Sequence, residues 1–488
     1  MQKKSQRGQE RRSPRKRPDL ILIISLIAVL FLTIIISEIV KDPVTEVERF
    51  DRAGSLDAYI KEATGRSLQE IEEELELPLT IHEFSDDIHD AGQINYDYLE
   101  LTEPAGSTLP RIDILMRDGY ELSKDYSDCR VSLSGAGEYD FLPQSAQVRI
   151  RGNWTSKYEK KPLKIKFNAS IGLFGMNPEK SWTLIANFMD NTQIHNYISY
   201  DLYDYVTPEG QYVPFYTYVN LYINDVYIGL YALSDQIETG SDRISINDVH
   251  MSVPSMNDFL VEQDYRLAAQ EPEGEDVYWF WSRYNDLMYS IKSPEDKVTG
   301  EDLAYMRDYL DCVYILARLG DYERLDGLID LESFMNFFMV QDIIRNSDVF
   351  KASVFYCKRA GGKLYCPTIW DCDLTFGGHS LKPDGMVCLN NQLFAALIEV
   401  PEFRDMYIDN FLEKKEDIKS HMMEEIDHIT SLYGEDFANE YYNWEIGNTE
   451  FMLPEMNGVA DYGEEIELMK QWLSEQLDTL EMQYTYMR

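Results

Sequence analysis

The chain has 488 residues, enough for one large body with appendages. Its 86 acidic against 45 basic residues give a net charge of −41, and no basic patch suggests nucleic acid as a partner. Six cysteines lie at spacings that match no zinc motif.

The first 41 residues differ in charge from the rest. They carry nine basic and three acidic residues, a surplus of +6, whereas the remainder carries 36 against 83. Residues 20–37 are uncharged and mostly apolar, the short end of a bilayer span. Eight basic residues precede this run, so the positive-inside rule keeps the N-terminus cytoplasmic. The pattern predicts a basic cytoplasmic segment over 1–18, an uncleaved single-pass anchor in the cell membrane over 19–41 and an extracytoplasmic body. Residues 42–104, rich in acids from Glu70 to Glu76, read as a solvated stalk.

A strand-rich region runs from Leu109 to about Tyr231. Within it, Val148 to Asn153 and Lys160 to Phe167 read as two strands joined by a Gly/Asn/Ser/Thr loop. A polar loop before a lysine-bearing strand is what a phosphate clamp needs, with Arg151 and Asn153 in the loop and Lys164 or Lys166 on the strand. Tyr218 to Tyr231 reads as a hairpin around Asn224-Asp225, and Asp235 and Glu238 follow it. Leu260 to Asp264 is a short strand ending in acids. From about Glu295 the pattern turns helical, over 302–318, 331–345, 402–432 and 463–485.

The most specific stretch is 336–378. A buried helix ends at Asn346-Ser347-Asp348. Residues 353–358 alternate as a strand, Gly361-Gly362 turn the chain, and the return leads into Trp370-Asp371-Cys372-Asp373-Leu374-Thr375-Phe376-Gly377. A two-residue turn at Gly361-Gly362 brings Asp371 toward Asp348 and Ser353. It also sets Cys357 opposite Cys366, close enough for a bridge in an exported protein.

Together with the Arg151-Gly152-Asn153 loop, the lysine strand and Trp182 to Thr192, this stretch resembles the spore-coat protein H (CotH) kinase-like family, over roughly 105–488. The resemblance implies an α+β, atypical protein-kinase-like fold of two lobes, strand-rich first and helical second. It implies a kinase that uses ATP with Mg²⁺ or Mn²⁺ and phosphorylates Ser or Thr hydroxyls of a protein substrate. Asp348 would be the catalytic acid–base residue. Asp371 and Asp373 would hold metal, with Ser353 where kinase-like folds often place Asn. Arg151, Asn153 and Lys164 or Lys166 would face the nucleotide, and Asp235 or Glu238 would pair with the lysine. The other reading is an inactive CotH-fold scaffold or binding protein of the cell envelope or spore coat.

Overall fold

Alternation of apolar and polar residues builds the first half of the chain. The computed structural model describes residues 44–77, 91–266, 278–294, 297–378, 381–446 and 461–488. Strands β1 (Arg111–Leu115), β2 (Ser127–Ser134), β3 (Phe141–Ile150), β4 (Leu163–Ile171), β5 (Glu179–Ile185), β6 (Tyr216–Ile223) and β7 (Val226–Ser234) form a closed barrel in the order β1-β2-β3-β4-β5-β7-β6. The closure is made by β1, which pairs in parallel with β6. Leu163, Ile165 and Phe167 of β4 are buried, and the period of two puts Lys164 and Lys166 on its other face. The β6–β7 turn is Asn224-Asp225, both at positive φ (49° and 64°), as a two-residue hairpin requires.

A second sheet has the order β12-β11-β8-β10-β9. Its strands are β8 (Phe259–Gln263), β9 (Trp279–Trp281), β10 (Met288–Ser293), β11 (Val354–Lys358) and β12 (Leu364–Tyr365). The helices Gly300–Leu319, Leu331–Ile344, Pro401–Asn443 and Tyr462–Met487 begin where the periodicity put them, but the third runs on well past 432 to Asn443. The first begins at a capping box of Thr299 and Asp302. Leu331–Ile344 is apolar almost all round and buried accordingly. The architecture is thus mixed α+β, strand-rich first and helical second. One feature of the barrel reaches into the helical part: Lys160, fully buried, pairs with the equally buried Glu440 at 2.5 Å.

Two expectations change, and a third lies outside the described residues. Residues 46–74 are not a solvated spacer. They form helices Glu46–Ala53, Leu56–Thr64 and Leu68–Glu74, with Val47, Phe50, Leu56, Tyr59, Ile60 and Ile71 buried. Phe50 packs edge-on against Tyr59, Tyr305 and Tyr309. The acids that made this stretch look solvated are partly hydrogen-bond acceptors: Tyr305 donates to Asp51 and Tyr284 to Glu72, each at 2.7 Å. The Cys357–Cys366 bridge is also corrected. The turn spans 359–363, with Gly362 N–H donating to Arg359 O, so Cys357 faces Tyr365. All six cysteines are free and buried. Finally, among the described residues no helix is long and apolar enough to cross a membrane, and the expected anchor at 19–41 lies outside the described residues.

Phe50→Ala should cost about 3 kcal/mol of stability, the usual size for a buried phenylalanine. Urea unfolding of the full chain measures this, and an unchanged midpoint would return residues 46–74 to the status of a spacer.

Candidate functional site

The site is built where the helix Leu331–Ile344 stops. Arg345 takes a left-handed conformation (φ 51°), and Asn346 Oδ1 accepts from the Asp348 N–H at 3.1 Å, closing a short turn over Ser347–Phe350. Asp348 stands on that turn. β11 leaves from Ser353 (φ 57°), and the chain returns to Asp371 (φ 60°). Ser353 Oγ donates to Asp371 Oδ2 at 3.2 Å. Neither is glycine, and left-handed backbone in such residues persists only where surroundings enforce it.

Those surroundings are specific. Asn346 Nδ2 donates to the Asp371 carbonyl at 3.3 Å. The Cys372 N–H donates to Asn196 Oδ1 at 2.9 Å, and His195 Nδ1 lies 3.0 Å from the Asp373 carbonyl. A carbonyl only accepts, so Nδ1 carries the proton. Asp190 in turn accepts from the His195 backbone N–H at 2.7 Å. The first turn of the helix His195–Val206 is therefore a clamp on the aspartate motif.

A cleft of about 570 Å³ collects Arg151, Asn153, Asp264, Arg266, Asp348, Ser353, Asp371 and Asp373 among its walls. Burial first, and the Asp371 charge second, push Asp348 up to about 7 against the pull of Arg266. Asp373 is driven well above the carboxylate range by burial, then by Asp371, Asp348 and Asp190. Facing these acids is a cationic strip. Arg149 sits opposite Lys164 in the β3–β4 register. The Arg151 guanidinium lies 5.6 Å from the Trp370 ring centre. Burial holds Arg151 below its ordinary value, and Asp371 and Asp373 oppose that effect. Lys124 donates to the Gly152 carbonyl; burial and the neighbouring Arg149 and Arg151 lower it to about 8. Gly152 has φ 78°, and a Cβ there would collide with Thr155 Oγ1, so the loop needs glycine.

Arg151, Asn153, Asp348, Ser353, Asp371 and Asp373 thus meet in one place. Lys164, Lys166, Asp235 and Glu238 do not line the cleft. Lys164 pairs with Glu238 at 3.5 Å, at the edge of the cationic strip, whereas Lys166 is exposed. Asp235 is committed elsewhere: it is buried, accepts from Tyr212 at 2.8 Å, and is pushed up to about 7 by its burial. Of the two acids, Glu238 is the partner of the lysine.

Sequence reasoning missed Arg149, Asp264, Arg266, His195 and Asn196. Asp264 holds Arg266 through two parallel bonds of 2.8 and 2.9 Å. Burial works against the Arg266 charge, and Asp264, Asp348 and Asp371 outweigh it, holding the guanidinium above its ordinary value. The acids ending Leu260 to Asp264 were the available signal.

Among the described residues no group of three or more His, Cys, Asp or Glu forms a metal cage. Mg²⁺ held against phosphates needs only one or two carboxylates. Asp348, Ser353, Asp371 and Asp373 bring hard oxygen donors to one cleft, which suits such an ion, and it would relieve the repulsion that, after burial, raises Asp348 and Asp373.

A family model described as CotH kinase protein matches residues 148–480. The chain belongs to the CotH kinase protein family. The match spans every cleft residue named above. No curated protein matches the chain. In this CotH protein the aspartates at 348, 371 and 373 are thus set by a strained hairpin base and a helix-end clamp.

A raised carboxyl stabilises the fold at low pH and withdraws that contribution as pH climbs from its unfolded value near 3.8 to about 7. Wild-type stability toward urea should therefore decline between about pH 4 and 7, and Asp348→Asn should make the decline shallower, the buried Asp235 supplying part of the remainder. Carbon-13 NMR of labelled aspartate should find the Asp348 midpoint near 7 and moved downward in Asp371→Asn; a midpoint near 4 in wild type would refute the arrangement.

Proposed function

We propose that this protein is a metal-dependent phosphotransferase that moves the terminal phosphoryl group of ATP to Ser or Thr hydroxyls of a protein substrate. The observation that carries the reading is the cleft itself, three interacting carboxylates across from a cationic strip. We read the barrel and the helical part as the two lobes of a kinase-like arrangement, with the cleft between them.

Each side chain then has a task. The Gly152 loop and Arg151 hold phosphate oxygens, and Lys164, steadied by Glu238, adds charge from the strand. Asp371 and Asp373 would hold Mg²⁺ or Mn²⁺, with Ser353 as a weaker oxygen ligand. The bound ion supplies neutralisation of phosphate charge. Asp348 orients the acceptor hydroxyl and takes its proton, a task suited to a carboxyl near 7 because it is partly ionised at neutral pH and still basic. Arg266 lies close enough to Asp348 and Asp371 to moderate their repulsion.

The +6 head and the apolar run at 20–37 support export on a single anchor, with the cleft outside the cell membrane. Protease added to intact cells should remove the body and spare the N-terminus. A fully protected body would reverse this topology.

Calorimetry should find ATP affinity rising when Mg²⁺ or Mn²⁺ is added. Asp371→Ala should abolish that rise in a folded protein. Asp348→Ala should keep nucleotide binding and lower transfer of labelled phosphate by about 10²- to 10⁴-fold. A wild-type chain that binds no nucleotide with either metal would be a scaffold of the cell envelope instead.

A further inference from the structure

A second cavity, of about 450 Å³, opens on the seam between the barrel and the β11–β12 hairpin and shares no wall residue with the cleft. Tyr212, just before β6, and Arg243, after β7, line it from the barrel side. Arg359, Lys363 and Tyr365 line it from the hairpin, with Asp330 beside them. Arg359 opens the turn after β11, the strand that begins next to Ser353, and six residues of extended chain put it about 20 Å from the aspartates.

Charge is the unusual feature. The chain has nearly two acids for every base, yet this cavity carries three cations and one acid. The acid is occupied, because Asp330 caps the helix Leu331–Ile344 by accepting from the Ser333 N–H at 3.1 Å. The cations are only partly neutralised. Arg359 donates to a neutral carbonyl, that of Ser245, at 2.9 Å. Lys363 meets Asp326 at 3.2 Å with both side chains about half exposed, a pairing worth little in water. Arg243 is 1% exposed, and its Nε makes no hydrogen bond, the Asp235 carboxylate standing 3.9 Å away. Its Nη1 donates to Glu238 at 2.9 Å and its Nη2 to the Ser181 carbonyl at 2.6 Å, and Glu238 is shared with Lys164. Two guanidinium groups and an ammonium facing one space across a seam repel one another, and a multivalent anion would relieve that repulsion. Guanidinium forks match phosphate oxygens in shape as well as charge.

We propose that the seam cavity is a binding site for a small phosphate-bearing anion, held between Arg243 on the barrel and Arg359 and Lys363 on the hairpin. The bound anion ties the two sides of the seam together. The site does not depend on the phosphotransfer reading of the cleft.

The test uses the full chain in chelator, without divalent metal, and inorganic pyrophosphate as probe. Calorimetry should show binding, and the melting temperature should rise with pyrophosphate concentration. The double variant Arg359→Gln/Lys363→Gln should weaken binding at least tenfold. Both residues sit in an exposed turn, so its melting temperature without anion should match wild type. Arg151→Gln, which removes a cation from the cleft, should change the affinity less than twofold. Absence of binding, an unaffected double variant, or loss of binding in Arg151→Gln would each overturn the proposal. Pyrophosphate bound at the seam in a chain whose cleft takes no nucleotide would sink the phosphotransfer reading and leave the seam site standing.

Discussion

The Lys160–Glu440 pair fixes the barrel against the helical part. Both side chains are fully buried, and isolated charges at such depth would be prohibitive. Here every donor is used: the ammonium also reaches the carbonyls of Ala186 and Leu230, each at 2.6 Å, while Glu440 accepts the Leu230 N–H at 2.7 Å. Burial presses Lys160 down and Glu440 up, and each partner resists the shift in the other. The approach is so close that a Cβ on Gly229 (φ 123°) would run into the Glu440 carboxylate. Lys160 lies between the Arg151 loop and β4. The bolt that joins barrel to helix therefore also sets where the cationic strip stands relative to the aspartates.

That strip and those aspartates were legible to different degrees. The meeting of Ser353 with Asp371 could be read from Asn346-Ser347-Asp348, a Gly-Gly turn and the returning strand, although the turn is longer than two residues and the register moves by one. The error was harmless to the site. β12 ends at Tyr365, and beyond it Asp371 is placed by side-chain bonds from Asn346 and Ser353, not by ladder bonds. The same one-residue error decided the fate of the cysteine pair, whose geometry depends on the ladder alone.

What could not be read has a common cause. His195 reaches Asp373 across 178 positions of sequence, and Asn196 reaches Cys372 across 176. Neither carries a local pattern. The helices of 46–74 were hidden because their apolar stripe is narrow and their acids numerous; the partners of those acids, Tyr284 and Tyr305, lie over 200 residues away. Alternation correctly put Lys164 and Lys166 on one face of β4, but only packing tells which meets an acid.

The barrel's closure by the parallel β1–β6 pairing has a consequence for how copies of the protein meet at high concentration. An open sheet ends in strands whose amides and carbonyls can recruit a strand from a neighbour. A closed barrel has none. In the second sheet the outermost strands are β9 and β12, only three and two residues long, too short to template an added strand. Among the described residues, copies at high local concentration are thus offered no long free strand edge on which to join backbone to backbone.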